Sequence, residues 1–157
     1  MQPIRVILFP TDFSTCSDAA FHFACSLAAH YSARLVIVHV KQPPFNVGEL
    51  VMPFTPETEF EKQQLEAELC GIVPSNAVFP FEHQLLFGDA AVQIVDVANK
   101  HAADIIVMGT HGRKGVSRAL MGSVAATVLR NAPCPVLTVK LPKEKTRGRS
   151  ASARAAR

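Results

Sequence analysis

Ala103-Asp-Ile-Ile-Val-Met-Gly-Thr-His-Gly112, Arg113-Lys-Gly-Val-Ser-Arg-Ala-Leu-Met121, Gly122-Ser-Val-Ala-Ala-Thr-Val-Leu-Arg130 and Pro135-Val-Leu-Thr-Val-Lys140 follow one another as strand, glycine-bearing loop, helix and strand. Ile105 to Met108 form a short apolar run of the kind a buried parallel strand shows, while Val124, Val128 and Leu129 recur at helical spacing after Gly122-Ser123. A loop that passes from a buried strand to a helix N-terminus can aim backbone N–H groups at an anion. Gly109, Gly112 and Gly122 would let the backbone approach one closely. A phosphate is the obvious candidate, although neither G-x-x-x-x-G-K-[ST] nor G-x-G-x-x-G occurs in the chain. Spacing alone leaves open whether these glycines bind a ligand or serve turns and a helix start.

Working outward, the same alternation recurs. Ile4-Arg-Val-Ile-Leu-Phe9 is a buried-strand run ended by Pro10, so Thr11 and Asp12 stand at a strand's carboxyl end, where open α/β sheets place their ligands. Ser14 is suited to cap the next helix, in which Ala20, Phe23, Ala24, Leu27 and Tyr31 trace one face. Arg34 to Val40 is the second strand. Residues 41 to 55 contain Pro43, Pro44, Gly48 and Pro53 and form a long connection. Its Phe45, Val47, Leu50, Val51, Met52 and Phe54 are apolar enough to pack on a nucleotide base or a second subunit. Thr55-Pro56-Glu57 supplies a helix cap, a proline at the first helical position and an acidic first turn; Phe60, Leu65 and Leu69 follow, and Gly71 ends the helix. Phe81 to Phe87 mixes polar and apolar residues and is assigned as a strand nearer the sheet edge. Asp89 caps the following helix, with Val92, Val95 and Ala98 on its inner face. The order βαβαβαβαβ specifies one parallel α/β sheet with helices on both faces.

Composition sets the boundaries. The 157 residues suffice for one domain with its own core, and 48% hydrophobic against 18% charged residues fits a compact globule. No apolar run approaches the roughly 20 residues of a membrane span, and Met1-Gln-Pro-Ile-Arg-Val does not read as a signal peptide. A cytoplasmic protein is expected. Cys16, Cys25, Cys70 and Cys134 form no C-x-x-C pair and are read as small buried or half-buried hydrophobes. His22 and Cys25 share a helix face without a second ligand pair, so no metal site is built from protein alone. The net charge of +3 is a property of the tail: residues 143–157 hold six basic side chains and one acidic, +5, which leaves −2 on residues 1–142. The chain is therefore divided into a domain over 1–142 and a basic disordered tail over 143–157, the latter open to weak nucleic-acid contact.

Gly109-x-x-Gly112, nine residues, then Gly122-Ser123 resembles the G-x-x-G-x9-G-[ST] signature of the ATP-binding branch of the universal stress protein family. Pro133-Cys-Pro-Val-Leu-Thr-Val139 is similar to that family's closing strand, and Phe9-Pro-Thr-Asp12 to its first strand end; the likeness spans about residues 3 to 140. It implies a Rossmann-like open five-stranded sheet of order 3-2-1-4-5, whose switch point lies between strands 1 and 4. It also implies that Gly109, Gly112, Gly122, Ser123 and Val124 meet the phosphates of ATP, with Ser123 adding its hydroxyl and Arg113 a charge. Pro10, Thr11, Asp12, Val40 and Met108 would hold the nucleoside end, Asp12 lying near the ribose or a phosphate-bound Mg²⁺. A homodimer through the Val136–Val139 edge strand is implied as well. No P-loop lysine or evident base is present, and His111 is read as a surface hydrogen-bonding residue, so the expected role is to hold ATP with slow turnover or none. The competing reading is a dimeric partner-interaction module of the same fold that binds no nucleotide.

Overall fold

A computed structural model describes residues 3–42, 59–75, 78–110 and 121–140. The elements run β1 (Val6–Thr11), α1 (Thr15–Tyr31), β2 (Arg34–Lys41), α2 (Glu59–Cys70), β3 (Phe81–Phe87), α3 (Ala90–Lys100), β4 (Ile105–Gly109), α4 (Ser123–Asn131) and β5 (Val136–Val139). The strands form one sheet, all paired in parallel, in the order β3-β2-β1-β4-β5. That is the expected order, with β3 at an edge as its mixed composition required.

Strand alternation sorts the core into two halves. Leu8, Val36, Val38, Ile106 and Met108 point to the face covered by α3 and α4, where they meet Ala91, Ile94, Val97, Ala98, Ala125 and Val128. Ile7, Phe9, Leu35, Ile37 and Val107 point to the other face and meet Ala20, Ala24 and Ala28 of α1 and Leu69 of α2. Right-handed crossovers produce this division when the chain first builds outward from β1 through β2 to β3 and then returns past β1 to β4. Residues such as Ile7, Leu8 and Ile37 are fully buried, and each contributes about 1.5–3 kcal/mol through burial.

The helices exist where the sequence places them, but turned about their axes. α1 buries Cys16, Ser17, Ala20, Ala24 and Ala28, while Phe23 and Tyr31, expected on the inner face, are exposed. Small side chains let α1 lie close to the sheet, and its large apolar residues are carried to the flank and outside. α3 buries Ala98 as expected, but with Ala91, Ile94 and Val97 in place of Val92 and Val95, and Val92 is exposed. In α4, Ala125 and Val128 are inside and Leu129 is outside; in α2, Leu69 is inside and Phe60 outside. Ranking residues by hydrophobicity misjudged the phase because contact distance, set by alanines, decides which stripe faces a sheet. The proposed cap at Thr55-Pro56-Glu57 and the apolar connection before it lie outside the described residues.

Candidate functional site

Two neighbours of β1 are treated differently at its carboxyl end. β1 pairs with β2 from Val6↔Arg34 to Thr11↔His39, but with β4 at Ile7↔Ile105 and Leu8↔Ile106 alone. The Asp104 N–H donates to the Val6 carbonyl at 2.9 Å, which turns the backbone groups of Val6, Leu8 and Pro10 toward β4. Proline has no N–H, so the ladder to β4 runs out at Pro10 while Phe9 and Thr11 continue the one to β2. At the amino end the same pair is locked: Asp104 Oδ2 accepts from Arg5 N at 2.8 Å and Val6 N at 2.9 Å. β1 and β4 are thus pinned at one end and released at the other, where the switch point lies.

One wall of this crevice is the turn from β1 into α1. Thr11 Oγ1 accepts from Phe13 N at 3.0 Å and from Ser17 Oγ at 2.9 Å. Asp12 Oδ1 accepts from Ser14 N at 3.2 Å and Ser14 Oγ at 2.6 Å, and Ser14 Oγ in turn accepts from Ser17 N at 3.3 Å, as the predicted cap. Between them Phe13 takes φ 60°, a left-handed conformation that costs a non-glycine residue about 1–2 kcal/mol. Of the residues expected at the nucleoside end, Pro10 and Thr11 are buried and Asp12 is half-buried. The Thr11 hydroxyl is engaged by the turn itself, on the α1 side of the sheet.

The other wall is assembled from both ends of the glycine loop. Gly122 N donates to the Thr110 carbonyl at 2.8 Å, and Thr110 N to the Val139 carbonyl at 3.1 Å, so the start of α4 is tied to the carboxyl ends of β4 and β5. The Gly122 N–H, expected to meet phosphate, therefore has a partner inside the chain. Gly109 is required for another reason than close approach to a ligand: a Cβ there would lie 3.1 Å from the carbonyl carbon and 3.2 Å from the carbonyl oxygen of Cys16, against which β4 packs. α4 starts on Gly122, which supplies no side-chain cap. Its first N–H groups and partial positive charge, at Ser123 and Val124, stand beside the crevice. Val40, Met108 and Val124 all pack with the α3/α4 half of the core, on one face of the sheet.

Of the residues expected at the site, Pro10, Thr11, Asp12, Val40, Met108, Gly109, Gly122, Ser123 and Val124 lie at the carboxyl ends of β1, β2 and β4 or at the start of α4. Gly112, Arg113 and His111 lie outside the described residues. His39 escaped the sequence reading. It sits 6% exposed at the end of β2, with Nδ1 2.8 Å from the Thr11 carbonyl oxygen and its ring 4.3 Å from that of Phe13. The signal was there: one histidine inside the apolar run Leu35 to Val40.

Among the described residues no group of three or more His, Cys, Asp or Glu is placed to hold a metal, and no helix is long and apolar enough to cross a membrane. The four cysteines are free; Cys70 is exposed, against expectation, because it ends α2 one residue past the buried Leu69. Burial pushes the Cys25 thiol up to about 11, and burial together with Asp104 raises that of Cys134, so both favour the neutral thiol.

The model of the universal stress protein family matches residues 3–140. A universal stress protein of Methanocaldococcus jannaschii is 36% identical over 150 residues, covering 89% of this chain and 84% of its own. One of Thermus aquaticus is 35% identical over 144 residues, covering 87% and 98%. Among solved structures, the universal stress protein UspA of Lactobacillus plantarum superposes with a TM-score of 0.69 at 23% identity, over 88% of this chain and 99% of that one. A universal stress protein in complex with cAMP gives 0.65 at 23% identity, over 88% and 98%. The Archaeoglobus fulgidus protein in complex with dAMP gives 0.59 at 23% identity, over 89% and 100%. The sequence match over nearly the whole sheet, together with strand order and crevice, means that this chain belongs to the universal stress protein family.

Proposed function

We propose that the chain is an adenine-nucleotide-binding regulatory module of the cytoplasmic stress response, which holds ATP and turns it over slowly or not at all. The observation that carries this is the start of α4: Ser14 caps α1 and Asp89 caps α3, but Gly122 supplies no side chain, so that among the described residues no side-chain cap covers the first N–H groups of α4, which would face an anion at the switch point. Adenine nucleotides bound by relatives of the same fold, cAMP in one and dAMP in another, support the choice of ligand. Ser123 and Val124 would meet the phosphates, with Gly112 and Arg113 completing the loop, and Asp12, Val40 and Met108 the nucleoside end. With no carboxylate cage among the described residues, Mg²⁺ would be carried chiefly by phosphate oxygens and water, with Asp12 near the ribose or the ion. The missing P-loop lysine argues for holding over hydrolysis. The basic tail over 143–157 lies outside the described residues, and its proposed role is at most weak nucleic-acid contact.

The test is direct. Pure protein, heat-denatured, should release an adenine nucleotide identified by mass. Titration with Mg·ATP should show binding that Gly122→Val reduces by about a hundredfold or more, because a branched side chain crowds the phosphate approach. Equal binding by the two proteins would remove the loop from the site.

A second reading is favoured by one observation: β5 is an outer strand whose described partner is β4 alone. Such an edge pairs readily with another chain, and a homodimer through Val136–Val139 would form with or without nucleotide. Light scattering at micromolar concentration should give twice the monomer mass. If it does so and no nucleotide binds, the chain is a dimeric partner-interaction module.

A further inference from the structure

Resting on the nucleotide reading above, we propose that His39 is the positioning residue of the site, holding the β1–α1 turn in the shape that presents Asp12 to the ligand. The chain of contacts is short. His39 lies in register with Thr11 across the β1/β2 ladder, and both are buried. The Thr11 carbonyl oxygen can only accept, so the 2.8 Å contact means that His39 carries a hydrogen on Nδ1 and donates it there. This ties down the last carbonyl of β1, one peptide before Asp12. The ring also stacks on Phe13, centroids 4.3 Å apart and planes tilted by 37°. Phe13 is the one residue of the turn in the left-handed region, and its side chain needs a partner to stay there.

The inversion at Phe13 is what brings Ser14 back toward Asp12, where its N–H and hydroxyl both reach Oδ1. His39 therefore acts on both sides of Asp12, through the carbonyl before it and the ring after it, while lying on the α1 side of the sheet. An apolar residue in its place would remove this donor from the buried Thr11 carbonyl and this ring from its stack on Phe13. The turn would relax, and the carboxylate would move with it. Ordinary core residues such as Ile37, two positions earlier on the same face, make no contact of this kind.

The test compares His39→Leu, His39→Asn, Asp12→Ala and the double variant His39→Leu/Asp12→Ala with the wild type, each checked for fold by circular dichroism. Asn carries an N–H close to the place of the histidine Nδ1–H, so it keeps the bond to Thr11. His39→Leu should weaken Mg·ATP binding about tenfold, His39→Asn should restore most of the loss, and the double variant should bind no worse than Asp12→Ala. In ligand-free protein the Ser14 amide proton, which is donated to Asp12 Oδ1, should shift in His39→Leu and stay in place in His39→Asn. Additive losses, or wild-type affinity in His39→Leu, overturn the proposal. If the wild type binds no nucleotide, the nucleotide reading fails, and an unmoved Ser14 amide in His39→Leu would separately show that His39 does not set the turn.

Discussion

Two helix N-termini border the same crevice and are finished in opposite ways. At α1, Ser14 accepts from Ser17 N and also donates to Asp12, so the end is closed by side chains of the chain itself. At α4, Gly122 offers no side chain, and among the described residues the end is tied down by a backbone bond, Gly122 N to the Thr110 carbonyl. Both ends carry the same partial positive charge and the same free N–H groups before capping. The difference teaches that a strand-to-helix turn at the carboxyl edge is not in itself a binding site. One end is completed by side chains of the chain itself; the other has no side-chain cap among the described residues and stands where the pairing of β1 with β4 has run out.

Closing the open end should have the largest effect. Gly122 has φ −59° and ψ 149°, a conformation any residue adopts, so Gly122→Asp would give α4 the kind of cap that α1 has. Nucleotide affinity should fall by about a hundredfold or more, since the carboxylate occupies the N–H groups and repels phosphate, while stability rises by about a few tenths of a kcal/mol. Calorimetric titration beside urea denaturation would read both; a parallel loss of stability and binding would mean that Gly122 matters for folding alone.

Next comes the contact between the two walls. Gly109→Ala forces a methyl group to within 3.1 Å of the Cys16 backbone on the first turn of α1. Neither backbone can yield cheaply, and about 1–3 kcal/mol of stability should be lost. A Tm unchanged from wild type would show that α1 can move away from β4. The smallest effect belongs to the closed end: Ser14→Ala removes a cap and one partner of Asp12, costing about 1 kcal/mol in denaturation experiments. Binding should weaken with it only so far as Asp12 loses its fixed direction, which separates the stabilising from the binding share of that wall.

The sequence itself carried the alternation of strands and helices, the caps at Ser14 and Asp89, and the glycine pattern at 109, 112 and 122. Each is a local signal: a period, a side chain able to accept from its own backbone neighbours, a residue without Cβ. The family resemblance added the order 3-2-1-4-5. Which stripe of each helix faces the sheet was not legible, because alanines at Ala20, Ala24 and Ala28 set the contact distance across residues far apart in the chain. Nor could local pattern show that Gly109 is needed by Cys16, that the Gly122 N–H belongs to Thr110, or that His39 reaches Thr11 and Phe13. Those are pairings between segments brought together by the parallel sheet, and a side chain's role there is decided by its neighbour across the ladder or at the next helix end, about which its own stretch of chain says nothing.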